Sequence, residues 1–220
     1  MKLGTILLWT IIFSSVTLTS CWKSKPRILI VGDSISIGYT PFVKEYFSDR
    51  AVVMHNPGNA QHTGTGLDSI ANWIGDGNWD IIQFNWGLWD LCYRSRDVKE
   101  PLKRDKLNGK VTNSLGDYTL NLDSIVSVLR EKTKAKLIFV TTTSVPENEP
   151  GRYQDDVLKY NDAARSIMKE HAVLVNDIYD QSVYIHGKYG KGNSDVHYGN
   201  EGYKQLGKLV ADFLEREIDQ

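Results

Sequence analysis

From Arg27 to Asn176 the chain alternates short apolar runs with longer stretches in which apolar residues recur every three or four positions. The runs are RILIVG (27–32), AVVMHN (51–56), DIIQFN (80–85), AKLIFVTTT (135–143) and AVLVND (172–177), all rich in branched side chains. Their apolar character is nearly continuous, which predicts strands buried on both faces of a parallel sheet. Helical period is clearest at Tyr118, Leu122, Ile125 and Leu129, then at Val157, Ala164, Ile167 and Met168, and last at Tyr203, Leu206, Val210 and Phe213. Each set puts an apolar stripe on one side of a helix. Strand and helix in alternation, joined by right-handed crossovers, predict an α/β chain: a three-layer α/β/α sandwich with a five-stranded parallel sheet in flavodoxin-like order.

Ligands of such a sheet bind beyond the carboxyl ends of its strands, and the unusual residues of this chain collect there. The first strand runs into GDS, the second into NPGNAQHTG, the third into NWGLWDL and the fourth into TTTSVPENEPGRY, while SDVHYGNEGY precedes the last helix. The stretch GDSISIG lacks the lysine of a phosphate-binding P-loop and the G-x-G-x-x-G of a dinucleotide site, so no cofactor is expected. Nor is it the G-x-S-x-G nucleophile elbow, because Ser36 stands in place of the second glycine. What remains is Ser34 at a strand tip and helix start, where free N–H groups and the helix dipole favour an oxyanion. A serine hydroxyl needs a base, and the base an orienting group. His197 and Asp195, at the far end of the chain, provide both.

Taken together, these blocks resemble the SGNH, or GDSL-type, hydrolases, a family of serine esterases, over essentially the whole chain after Cys21. The resemblance implies Ser34 as nucleophile, His197 as base and an oxyanion hole that uses the backbone N–H groups of Ser34 and Gly58. Two departures stand out. The third block of the family is G-x-N-D, whereas Gly87, Leu88, Trp89 and Asp90 put tryptophan where the oxyanion-hole asparagine belongs. Asn85, at the strand tip, is the substitute expected to complete the hole, since Trp89 offers only an indole N–H. The family's acid lies three residues before the histidine, where Ser194 stands here. Asp195 is expected to orient His197, with a carboxylate from elsewhere or a backbone carbonyl as the alternatives.

The family cleaves short acyl esters of sugars, lipid esters and thioesters. Trp86, Trp89 and Tyr93 follow the third strand and offer flat surfaces for sugar rings, and with Asp33 they are the expected substrate contacts. No long apolar loop suggests a lid over fatty chains. A carbohydrate esterase, in particular a deacetylase acting on a small-molecule or polysaccharide ester, is therefore the expectation. The alternatives are a lipase, lysophospholipase or thioesterase of the same fold, or a catalytically silent envelope protein that binds glycan.

At 220 residues with 41% hydrophobic content the chain can bury one substantial core, and its net charge of -1 gives no pull toward nucleic acid. Lys2, an apolar stretch and small residues lead to Cys21, the pattern of a signal peptide over residues 1–20. Leu18, Thr19, Ser20 and Cys21 resemble the bacterial lipobox, which implies that Cys21 is lipidated and becomes the mature N-terminus, with ordinary secretory cleavage or an uncleaved anchor helix as the alternatives. Residues 21–26 would then be a tether and 27–220 the hydrolase domain, exported and held at the outer membrane through lipid alone. Cys92 is the remaining cysteine, expected to be a partly buried bystander, and no metal site is expected from two cysteines so far apart.

The segment after the third strand, CYRSRDVKEPLKRDKLNGKVTNS, is too long for a plain connection. In it Arg94, Arg96, Lys99, Lys103, Arg104, Lys106 and Lys110 outnumber Asp97, Glu100 and Asp105. It is expected to wall the cleft and, by its positive field, to favour acetylated glycans that carry uronic acids; a solvated basic loop is the alternative.

Overall fold

A computed structural model describes residues 24–97, 99–100 and 102–218. The expected signal peptide, Cys21 and the first part of the expected tether lie outside the described residues. Five parallel strands form the sheet: β1 (Arg27–Val31), β2 (Val52–His55), β3 (Ile81–Phe84), β6 (Lys136–Val140) and β7 (Leu174–Asn176), in the order β2-β1-β3-β6-β7. Counting only these five, that is the flavodoxin-like order expected. Two further short strands, β4 (Tyr93–Arg94) and β5 (Lys110–Val111), pair antiparallel inside the basic insertion.

Helices cover both faces. α1 (Ser34–Tyr46), α5 (Tyr179–Tyr189) and α6 (Asn200–Ile218) pack together on one, and α2 (Thr63–Ile74), α3 (Leu115–Lys132) and α4 (Gln154–Glu170) on the other. The stripes read from the sequence fall on α3, α4 and α6, and Tyr118, Leu122, Ile125 and Leu129 are all buried. The start of α3 is set by a capping box in which Ser114 and Asp117 each bond the other's backbone N–H. α1 and α6 approach closely because Gly38 faces the Tyr203 ring; a Cβ there would stand 2.2 Å from it.

Burial on both faces holds for β1, β3 and β6. The edge strands differ. Val52 and Met54 of β2 and Leu174 of β7 are exposed, because an outermost strand is covered by a helix on one side only. The fourth apolar run also ends early: β6 stops at Val140, and Thr141, Thr142 and Thr143 continue as buried loop. Thr142 donates its N–H to Asn161 Oδ1 at 2.8 Å, a side-chain bond in place of a ladder partner.

Candidate active site

β1 ends at Val31, and the chain turns through Gly32 and Asp33 into α1, whose first residue is Ser34. Ile35 donates its N–H to the Asp33 carboxylate at 2.9 Å, which caps the helix. Ser34 therefore sits half-buried in a first helical turn whose N–H groups have no carbonyl four residues back. His197 reaches it from the loop between α5 and α6, with Nε2 2.9 Å from Ser34 Oγ.

The imidazole's Nδ1 lies 2.5 Å from Asp195 Oδ1, and the same oxygen accepts the backbone N–H of His197 at 3.0 Å. One carboxylate oxygen thus meets two donors of a residue two positions on, so the shortened spacing still brings the acid to the ring. Facing a carboxylate, Nδ1 carries the proton, and Nε2 is left to accept the Ser34 hydroxyl. His186 donates from Nε2 to the Asp195 carbonyl at 2.7 Å and anchors the loop to α5. Burial alone would raise the Asp195 carboxyl. The His197 N–H and imidazole and the charges of His197 and Arg104 outweigh it, and the group lies below its ordinary value.

The loop after β2 is lashed to the same turn. Asn56, buried, accepts the Gly32 N–H on Oδ1 at 3.0 Å and donates from Nδ2 to the carbonyls of Pro57 and Gly58, while Ala60 donates its N–H to the Gly32 carbonyl. Gly58 is held at φ +70°, a conformation that favours glycine, and its N–H has no acceptor among the described residues. The sequence reading missed Asn56; its signal was an asparagine at a strand tip two positions before that glycine.

The third loop corrects several expectations. Asn85 donates from Nδ2 to the Val140 carbonyl at 2.7 Å and lies 3.5 Å from Thr142 Oγ1, so one of its two amide N–H groups is committed to the end of β6. Trp86 is 1% exposed and donates from Nε1 to the Ala60 carbonyl at 3.2 Å. It fills the space above Gly66, where a Cβ would meet its ring at 2.6 Å, and offers nothing to a sugar. Asp33 is likewise buried; it caps α1 and cannot line a surface for substrate, and burial pushes its carboxyl up. Cys92 is wholly buried, not partly, and burial pushes its thiol up as well. Trp89 and Tyr93 do remain half-exposed, Trp89 under the Arg94 guanidinium at 4.6 Å and Tyr93 edge-on to Tyr153 at 5.3 Å. The Trp89 indole N–H has no acceptor among the described residues.

Asp90, given no role above, is a buried tie. Its Oδ1 accepts from Thr63 N–H at 2.9 Å, Thr63 Oγ1 at 2.6 Å and Asn113 Nδ2 at 2.7 Å, joining the start of α2 to the end of the insertion. Its Oδ2 has no partner, and burial raises the carboxyl. A second serine–histidine pair also lies close by. Ser36 Oγ is 2.7 Å from His55 Nε2 and 2.8 Å from the Asp33 carbonyl, and His55 Nδ1 donates to the Asn56 carbonyl at 2.8 Å. Among the described residues no group of three His, Cys, Asp or Glu side chains could hold a metal ion.

No protein-family model and no curated protein matches the chain. Solved structures do. The lipase/acylhydrolase from Enterococcus faecalis is similar over 87% of this chain and 96% of its own, at 18% identity and a TM-score of 0.69. An acetyl xylan esterase, AlAXEase, covers 85% of this chain and 98% of its own at 14% identity and a TM-score of 0.66. A GDSL-like lipase from Bacteroides thetaiotaomicron covers 87% and 88% at 15% identity and a TM-score of 0.63. At such identities the likeness is one of fold, and the fold is the one the resemblance implied.

Proposed function

We propose that the chain is a serine ester hydrolase of the SGNH type that removes short acyl groups, acetyl above all, from carbohydrate. The observation that carries this reading is the unbroken line from Ser34 Oγ through the His197 ring to the Asp195 carboxylate, at 2.9 and 2.5 Å. Ser34 attacks the ester carbonyl while His197 Nε2 takes its proton, and Asp195 stabilises the imidazolium that forms. The backbone N–H groups of Ser34 and Gly58 receive the oxyanion, joined by the Trp89 indole N–H in place of Asn85. His197 then protonates the leaving alcohol, the acyl group stays on Ser34, and water activated by the same imidazole releases it as the acid.

Two features support carbohydrate over lipid. Trp89 and Tyr93 keep ring surface open beside the reacting edge, and an acetyl xylan esterase is among the proteins of similar fold. Direction matters too. Residues 24–26 enter at the amino edge of the sheet, where Pro26 accepts the Val52 N–H, while Ser34 and His197 stand at the carboxyl edge. We propose that Cys21 is lipidated after removal of residues 1–20 and holds the protein to the outer membrane. The reacting edge would then face away from the bilayer, toward polymer. Mass spectrometry of the native protein should find an acylated Cys21 as first residue; an unmodified residue before it would overturn the anchor.

Turnover of p-nitrophenyl acetate and of O-acetylated xylo-oligosaccharides by the purified chain tests the activity. Release of acetate that disappears in Ser34→Ala supports the reading. Folded wild-type protein that turns over neither leaves a glycan binder as the better description.

A further inference from the structure

We infer that the wall of the cleft holds a binding site for a carboxylate carried by the substrate, formed by the guanidinium groups of Arg94, Arg104 and Arg152. The inference deepens the ester-hydrolase reading and rests on it for the catalytic half of its test. Arg152 is the inner member, 6% exposed. It donates from Nε to the Leu88 carbonyl at 2.6 Å and from Nη1 to Glu149 Oε1 at 2.8 Å, and its Nη2 has no acceptor among the described residues. Glu149 is fully buried, and its Oε1 also accepts from Arg104 Nη1 at 2.8 Å, while Oε2 accepts the Gly151 N–H at 2.7 Å. Arg94 lies over the Trp89 ring at 4.6 Å and donates from Nη1 to the Leu102 carbonyl at 2.9 Å, with no carboxylate partner among the described residues.

Two of the guanidinium groups therefore share one carboxylate, and the third, Arg94, feels the charge of all three groups without pairing. A surplus of positive charge in a partly dry wall is unfavourable unless an anion arrives to match it. Burial already pulls the Arg94 guanidinium below its ordinary value. The cluster also adjoins the loop that carries Asp195 and His197: Asn148, next to Glu149, donates its N–H to the Asn193 carbonyl at 3.0 Å, and the charge of Arg104 reaches Asp195. Two other cations of the insertion are placed differently. Lys103 pairs with Glu100 at 2.8 Å in the open, and Lys106 donates to the Glu147 carbonyl. On this inference recognition belongs to the three arginines, one of them outside the insertion. The guanidinium fork matches a carboxylate, and a carboxylate near an acylated hydroxyl is the chemistry of an acetylated uronic acid.

The test compares kcat/KM on O-acetylated methyl glucuronide and O-acetylated methyl glucoside, in the wild type, Arg94→Gln, Arg104→Gln and the double variant. Arg152 is kept, because its loss would strand part of buried Glu149. At low salt the wild type should favour the glucuronide by about tenfold or more, through KM, as a charge-assisted hydrogen bond implies. Added salt should erode the preference, and the double variant, checked for folding by its melting curve, should bring the ratio near one. No preference in the wild type, or an undiminished ratio in the double variant, overturns the inference. If the wild type turns over neither ester, the ester-hydrolase reading fails by itself. Calorimetric titration with methyl glucuronide then decides the site: binding that the double variant loses supports it, and no binding to the wild type overturns it.

Discussion

Two serine–histidine pairs lie two residues apart on α1, and the closer one is not the candidate catalytic pair. Ser36 is 2.7 Å from His55, and Ser34 is 2.9 Å from His197. Ser36 is 2% exposed, whereas Ser34 is half-buried and reachable. The Ser36 hydroxyl also has the Asp33 carbonyl within reach, and His55 is backed by the neutral Asn56 carbonyl. Burial lowers the proton affinity of His55, with that carbonyl only partly offsetting it. His197 is backed by the Asp195 carboxylate. Short distance therefore does not make a nucleophile; access, a free hydroxyl proton and a counter-charge behind the ring do.

The largest expected effect separates the two pairs directly. Ser34→Ala or His197→Ala should lower kcat by roughly four orders of magnitude, while Ser36→Ala should leave it within about threefold. Equal losses at both serines would erase the distinction. Asp195→Asn, which removes only the counter-charge, should cost roughly two to four orders in kcat. Trp89→Phe deletes one oxyanion donor and should lower kcat on the order of a hundredfold to a thousandfold. Asn85→Ala should leave kcat near normal and instead lower stability by about 1–3 kcal/mol, because the Val140 carbonyl loses its donor. If Asn85→Ala is the variant that loses kcat, its amide does serve the oxyanion.

Smaller effects concern stability. Ser36→Ala should destabilise by about 1 kcal/mol, read from denaturant midpoints, as a structural hydroxyl would. Asp90 carries a pH signature. Its carboxyl is raised above 3.8 by burial, so the folded chain holds that proton more tightly than the unfolded one. The resulting stabilisation is complete below the unfolded value and is lost as pH rises through the folded one. The wild type should therefore gain on Asp90→Asn as pH falls from about 7 toward about 4; parallel stability curves for the two would show Asp90 ionised throughout.

What the chain's own pattern determined is the sheet, three of its helices and the order of the candidate reacting residues. Unbroken apolar runs can be buried only between two helical layers, and the stripes of α3, α4 and α6 admit one inward face. α5 was not legible, since only Ser182 and Ile185 of it are buried. The blocks around Ser34, Gly58 and His197 were readable because each is local, a turn, a strained glycine and a loop. Tertiary structure alone decided where side chains point. Trp86 turns inward because Gly66 leaves room for its ring, and Asn85 turns to a carbonyl 55 positions away. Arg104 and Arg152 meet at Glu149 although they lie on separate segments. Periodicity reports which residues share a face of one element, whereas the direction of a polar or aromatic group is settled by the partner it finds across the fold.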